Sequence, residues 1–500
     1  MEIGFISTFD KVIYGKNKKQ KILYAVKFLS KKNQDNTIFL IPYNGKVKGN
    51  IILLFSVNSI INNYTICKID KILGLLEDST ILPLALKYLY KIYRKPLIYI
   101  PEKNIYEKNI NRIFVDKYIF SIDSADTIVI DDCISYEYNN ISNEYIVSIY
   151  IAQPIVWLTE KIIYERLKES FSSLYDIKSV DHLWNNEISY VSSLIPNLNR
   201  DAICFEFTYD SSYTLRSFNF YLCNIINKIQ TTYSNCLENV IINNFYKFTN
   251  NIANIESTHD LVSYWMKQVG IFVGKHCVAN NIIIPYRITN SNNITTEINT
   301  INSINKIKDI NIKNKFLLQY LDSALYSLTH NYHSSLKLCN YVQCTSPIRR
   351  IIDCLVHLVI SYKINLVEML NTYNITMDDI NLLDKQTKKY HKTMNILNTI
   401  NTYFLDKQII VLDGYIYNIN NNILTVYFAE LDSFFKVKLW DNQFNYLITD
   451  YIIDCIKSIN IGNKYKFEIH KHNSSKSILP KDKIKIIPIE FYFIERIYNI

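Results

Sequence analysis

The sequence predicts an α+β protein in which a mixed α/β central domain is flanked by two small β-barrels. Three observations predict it. The first 75 residues break into short apolar strands divided by Lys-, Asn- and Gly-containing turns. Residues 105–404 mix strand-like and helical apolar spacing, and strands return in 405–500. A length of 500 residues fits roughly three domains of about 150 residues each.

In residues 1–75 the strands fall at 22–29, 37–41 and 50–57. Short strands with basic loops and interleaved aromatics suggest an OB or cold-shock barrel, which stacks bases on aromatic rings over a positive groove. Tyr24, Phe28, Phe39 and Tyr43 are candidates for such stacking, or are core. Residues 1–100 carry 16 Lys and Arg against 6 Asp and Glu, while the whole chain has a net charge of +9. The excess therefore sits in the first hundred residues, as expected for a protein with a polyanion partner. A solvated face enriched in Lys is the alternative.

Residues 76–104 read as a helical connector, with leucines and tyrosines at three- and four-residue spacing after Asp78 or Ser79. An Asn/Ile/Thr-rich stretch at 288–314 reads as a loop, and 363–405 as a long polar helical region. Strands at 408–417 and 422–428 open the second barrel.

Hydrophobic content of 48% and charged content of 20% describe a globular chain with a large core. Nine Gly against 40 Tyr, with runs of Asn, Ile and Lys, reflect A/T-rich coding more than a special structure. Met1-Glu-Ile-Gly opens no signal peptide, and no apolar stretch reaches the ~18 residues of a membrane span. Ten cysteines without a C-x-x-C exclude a disulfide framework or zinc site as the expectation. The expected setting is intracellular, cytoplasmic or nuclear.

Two segments carry chemistry. Residues 120–133 place Asp123, Asp126, Asp131 and Asp132 between apolar strands. Adjacent Asp131 and Asp132 point to opposite faces of a regular strand, so their convergence requires an irregular turn. Clustered buried carboxylates repel one another unless a cation neutralises them, and Mg²⁺ suits an all-oxygen set. A solvated Asp-rich turn is the competing reading. In residues 341–357, Thr345-Ser346-Pro347 reads as a helix start, with Ser346 as capping hydroxyl and Pro347 in the first turn. Arg349 and Arg350 then sit where the helix dipole favours an anion, and a phosphate is the natural candidate. The alternative is an ordinary Arg349–Asp353 salt bridge.

The run from Thr345 to Arg350, followed by Asp353 and Val356-His357, resembles the signature of the RNB family of hydrolytic exoribonucleases, typified by RNase II and RNase R. Ile351 and Leu358 replace its usual tyrosine and arginine. Asp123, Asp131 and Asp132 match three of the family's four aspartates, and Val129 takes the place of the other. Asp126 substitutes only if its loop bends differently. Tyr150 and Gln153 stand where a family strand carries histidine and aspartate, and Tyr175 matches a tyrosine that packs against a base. The connector is most similar to that of the eukaryotic, exosome-associated kind.

The resemblance implies an RNB catalytic domain over 105–404, between a cold-shock/OB-like RNA-binding barrel over 1–75 and an OB-type RNA-binding barrel over 405–500. It implies 3′→5′ hydrolysis of single-stranded RNA to nucleoside 5′-monophosphates with Mg²⁺, or Mn²⁺. Asp123, Asp131 and Asp132 would hold metal, with Asp131, Asp132 and Arg349 catalytic. Tyr175, Arg349 and Arg350 would contact RNA, and an exosome-like complex is a conceivable partner. His357 is expected in the core or behind the site. A catalytically impaired RNA-binding protein is the alternative that Val129, Tyr150, Gln153 and Ile351 favour. A structural protein without catalysis leaves the Asp cluster and basic first segment unexplained.

Overall fold

The computed structural model describes residues 1–10, 14–29, 37–61, 64–289, 304–305, 307–319, 323–334, 336–403, 409–420, 423–438, 461–471 and 489–493. Its sheets and helices form a mixed α/β central part with a curled sheet on either side.

The first sheet has six strands, with Asn50–Ile61 and Tyr64–Leu75 at its centre. Both faces of residues 51–55 are buried. Ile51, Leu53 and Phe55 join one cluster, while Ile52 and Leu54 pack with Ala85 of the helix Ile81–Leu89. Period-two alternation between two apolar surroundings explains why residues 51–55 are apolar without interruption. Tyr24 and Tyr43 lie in the same core, and Phe28 packs edge-on to Phe39 and Phe55. The four aromatics considered for base stacking therefore point inward, because so small a barrel needs their volume to fill it.

The central sheet has seven strands, in the order Ile229–Thr232, Ile119–Asp123, Asp132–Asn139, Glu144–Ala152, Asn199–Asp210, Leu215–Ile226, Ile113–Val115. Its five inner strands pair antiparallel and both edge strands pair parallel. Helices Val240–Ile252, Thr258–Ala279 and Ile351–Tyr362 share its core, where Trp184 and Trp265 are buried.

Two glycines fix the path of the chain into residues 341–350. A Cβ on Gly274 would stand 1.7 Å from the Asn340 carbonyl oxygen, and one on Gly270 2.3 Å from that of Val342. Segment 340–342 thus crosses the helix at backbone contact, which only glycine permits.

The stretch expected as a loop at 288–314 enters a helix, Ile310–Leu318, capped by Asp309, whose carboxylate accepts from the Asn311 and Ile312 amides. Its Phe316 packs on Tyr417, Tyr427 and Phe434 of the last sheet. Low-complexity composition concealed the cap. Residues 290–303 lie outside the described set. The polar region 363–405 holds two helices, Leu366–Thr372 and Met377–Tyr403. The second inserts Ile396 and Ile400 into the core of the five-stranded C-terminal sheet. Among the described residues, no helix is long and apolar enough to cross a membrane.

Candidate active site

Strands Ile119–Asp123 and Asp132–Asn139 are antiparallel neighbours, so Asp123 ends one where Asp132 begins the next. The loop between them is pinned. The Ile130 amide donates to Ser193 Oγ at 2.9 Å, and the Ile130 carbonyl accepts from Leu194 at 3.0 Å. The Ala152 amide donates to the Asp131 carbonyl at 2.8 Å. This irregular turn buries Asp131 while Asp123 and Asp132 stay half-buried. Asp126 is exposed in the turn, and Val129 is partly buried against the core. The structure does not swing Asp126 inward to replace the missing carboxylate.

Both oxygens of Asp131 are taken. Oδ1 accepts from the Ile348 amide at 2.9 Å, and Oδ2 from Arg349 Nε at 2.9 Å. Residues 347–349 form a turn, and the helix begins only at Ile351, with Arg350 as its cap residue. The expected Ser346 cap is therefore replaced. Asp353, in the helix's first turn, accepts from the Ser346 amide at 2.8 Å and from Arg350 at 2.8 Å. The Arg349–Asp353 pair does not form, because Asp353 is already engaged and Arg349 reaches across to Asp131. The anion this turn attracts through its backbone is the protein's own carboxylate. Arg349 nonetheless keeps 52% of its side chain exposed, leaving its outer guanidinium edge open to a ligand. Arg350 is turned back onto its own helix.

Both Asp123 and Asp132 are raised, and the Asp123 charge contributes to the rise of Asp132. Burial, then the Asp131 charge, pushes Asp123 up to about 6, against a hydrogen bond from Ser121 and the pull of Arg349. Burial, then Asp123, pushes Asp132 up to about 7. Burial also raises Asp131, despite Arg349 and the Ile348 amide. Asp123 Oδ2 is buried without a hydrogen-bond partner among the described residues. Two mutually repelling, desolvated carboxylates with an unsatisfied oxygen fit one hard divalent cation. No group of three or more acidic, His or Cys side chains stands ready to hold a metal among the described residues. The trio Asp123, Asp131 and Asp132 is thus a pair plus a residue committed to Arg349.

Tyr175 extends from a short strand, 45% exposed, with its ring 5.5 Å from that of His391. Burial raises its hydroxyl, and Arg349, close enough to bond it, pulls it back. Tyr233, which carried no recognisable signal in the sequence, also borders the carboxylates. Its amide donates to the Asp123 carbonyl at 3.2 Å, and its ring stacks on His259 at 3.6 Å. Burial raises its hydroxyl, with Asp132 and Asp123 adding to the effect. His357 is core, as expected: it is fully buried on the Cys344 carbonyl, and burial lowers it to about 4. Tyr150 and Gln153 are also buried, bonded to Ser135 and Ser361, and take no part in the site.

The RNB domain family model matches residues 112–245 and 246–364, just over half the chain. The chain belongs to the RNB family. No curated protein matches it in sequence. Solved structures share the RNB architecture over nearly its whole length. The apo form of Mycoplasma genitalium RNase R superposes with a TM-score of 0.74 at 15% identity, covering 99% of this chain and 89% of that one. The same enzyme in complex with ribose-methylated single-stranded RNA gives 0.72 at 17%, covering 98% and 94%. Yeast Ssd1, a pseudonuclease, gives 0.63 at 13%, covering 87% and 65%. RNB folds therefore occur in this neighbourhood both with and without nuclease activity.

Proposed function

We propose that this RNB protein is a 3′→5′ exoribonuclease that hydrolyses single-stranded RNA to nucleoside 5′-monophosphates with a divalent cation, Mg²⁺ or Mn²⁺. The observation that carries the reading is the juxtaposition of a desolvated carboxylate pair, Asp123 and Asp132, with an Arg349 oriented by Asp131. Structural similarity to an RNase R in complex with single-stranded RNA supports RNA as the ligand.

Asp123 and Asp132 would hold the cation, which supplies an activated water and offsets charge on the phosphate. Arg349 binds a non-bridging oxygen of the terminal phosphodiester through its exposed edge, and Asp131 fixes its direction. Tyr175 stacks on a base near the 3′ end. In the net reaction water adds to phosphorus, the bond to the preceding nucleotide's 3′ oxygen breaks, and that oxygen takes a proton. A 2′-OH contact would provide the preference for RNA.

A second reading, RNA binding with little or no turnover, is favoured by Val129 at a carboxylate position and by the occupied oxygens of Asp131. A 5′-labelled single-stranded RNA incubated with Mg²⁺ separates the two. Progressive shortening with release of 5′-monophosphates is expected. Salt-dependent binding without shortening leaves only the second reading.

A further inference from the structure

We infer that Lys87 and Arg94 are positioning residues for RNA, clamping the hairpin 174–181 and thereby holding Tyr175 beside Arg349. The inference rests on the proposed stacking role of Tyr175. The hairpin is minimal: Leu174 pairs with Asp181, and Tyr175 with Val180. Two paired residues per strand do not define a direction by themselves. Side chains from three other elements do.

Lys87 Nζ lies 3.1 Å from Asp176 and 3.1 Å from Asp181, bridging both arms. Arg94, 2% exposed, donates to Asp181 Oδ1 at 3.0 Å and to the carbonyls of Asp181, His182 and Ser172 at 2.6, 2.7 and 3.1 Å. From the long helix, the Tyr390 hydroxyl donates to Asp176, and His391 Nε2 accepts from the Tyr175 amide at 3.4 Å. The hairpin is in turn joined to the catalytic turn. The Ser173 amide donates to the Arg349 carbonyl at 2.9 Å, and Ser172 bridges Arg350.

This arrangement spends two cations on a segment whose exposed aromatic is Tyr175. Guanidinium forks and bridged carboxylates fix direction, whereas apolar packing alone tolerates sliding. Without Lys87, Asp176 and Asp181 face each other across the hairpin with less opposing charge, and its tip moves. Lys87 belongs to the helix Ile81–Leu89, whose other side packs on Ile3, Phe5, Ile52 and Leu54 of the first sheet. The placement of the stacking ring therefore depends on the N-terminal unit being docked.

The test is a double-mutant cycle on the full chain, read as affinity for a short fluorescent single-stranded RNA in EDTA. Tyr175→Ala is expected to weaken binding about 5- to 100-fold. Lys87→Met and Arg94→Lys should each weaken it ~3- to 10-fold, with either double variant no weaker than Tyr175→Ala alone. Lys87→Arg should stay within about twofold of the original. Multiplying effects, or full affinity in Lys87→Met, would overturn the inference while leaving RNA stacking by Tyr175 intact. Unchanged affinity in Tyr175→Ala would instead remove the stacking reading, and the inference with it. If Lys87→Met does not fold, Asp176→Asn enters the same cycle with the same expectation.

Discussion

Arg349 Nε and Asp131 Oδ2 lie 2.9 Å apart although 218 positions separate them in the chain. On the proposed reading this contact aims Arg349 at the RNA phosphate, and it engages Asp131 with Arg349 and the Ile348 amide. Asp131→Asn keeps an acceptor for the Ile348 amide but loses the charge that holds Arg349. Turnover is expected to fall about 10²- to 10³-fold, with RNA affinity within about tenfold of the original. Steady-state rates beside anisotropy titrations check this, and equal losses in both would contradict it.

The carboxylate pair makes the protein pH-sensitive in a defined direction. Asp123 at about 6 and Asp132 at about 7 lie above the ordinary carboxylate range, so between these values and that range the folded state binds more protons than the unfolded one. Their charge therefore opposes folding at high pH, and the penalty shrinks as pH falls through 7 and 6 and is gone at the ordinary carboxylate range. Metal-free Asp132→Asn should melt higher than the original at pH 8, with the gap narrowing below about pH 7. Added Mg²⁺ should raise the melting temperature of the original at pH 8 and leave the variant nearly unchanged. A gap that widens on acidification would contradict the assignment.

Val129 is the position where the site departs from the family. Val129→Asp adds a carboxylate to a partly buried loop beside Asp131. The Mg²⁺ concentration for half-maximal rate should fall, or the rate rise, by about 10- to 100-fold, the scale on which single contributors to a metal site act. No change in either would show that the loop no longer faces the cation.

Gly274 is the fourth position to test. Alanine ordinarily favours a helix over glycine by about 1 kcal/mol. Here its Cβ would meet the Asn340 carbonyl at 1.7 Å. Gly274→Ala is therefore expected to destabilise the fold by roughly 1–3 kcal/mol net, measured by urea unfolding. Activity should fall with it, because the displaced segment leads directly into residues 345–350.

Much of this architecture can be read from residue patterns. The apolar run 51–55 announces a buried strand, and Asp123, Asp131 and Asp132 announce a carboxylate cluster, because each depends on near neighbours in the chain; that Asp131 is drawn off to Arg349 does not. The Arg349–Asp131 contact depends on which strands pair, so spacing alone offered only Asp353 or a phosphate as the partner. Ser346 resembled a cap because a hydroxyl residue just before a helical run is a common cap. Yet residues 347–349 form a turn, the Ser346 amide bonds Asp353, and the helix starts at Ile351 without a side-chain cap. Tyr233 was invisible: a single tyrosine among 40 acquires meaning only when the fold brings it to Asp123.

The most direct test of the central claim compares the original chain and Asp132→Asn on one 5′-labelled single-stranded RNA, with Mg²⁺ and protein in excess so that all RNA is bound. The original should shorten the strand stepwise from its 3′ end, and Asp132→Asn should bind it with similar affinity but shorten it at least about 100-fold more slowly. Equal rates in the two, or no shortening by the original under saturating RNA occupancy, would contradict the claim that the Asp123–Asp132 pair drives hydrolysis.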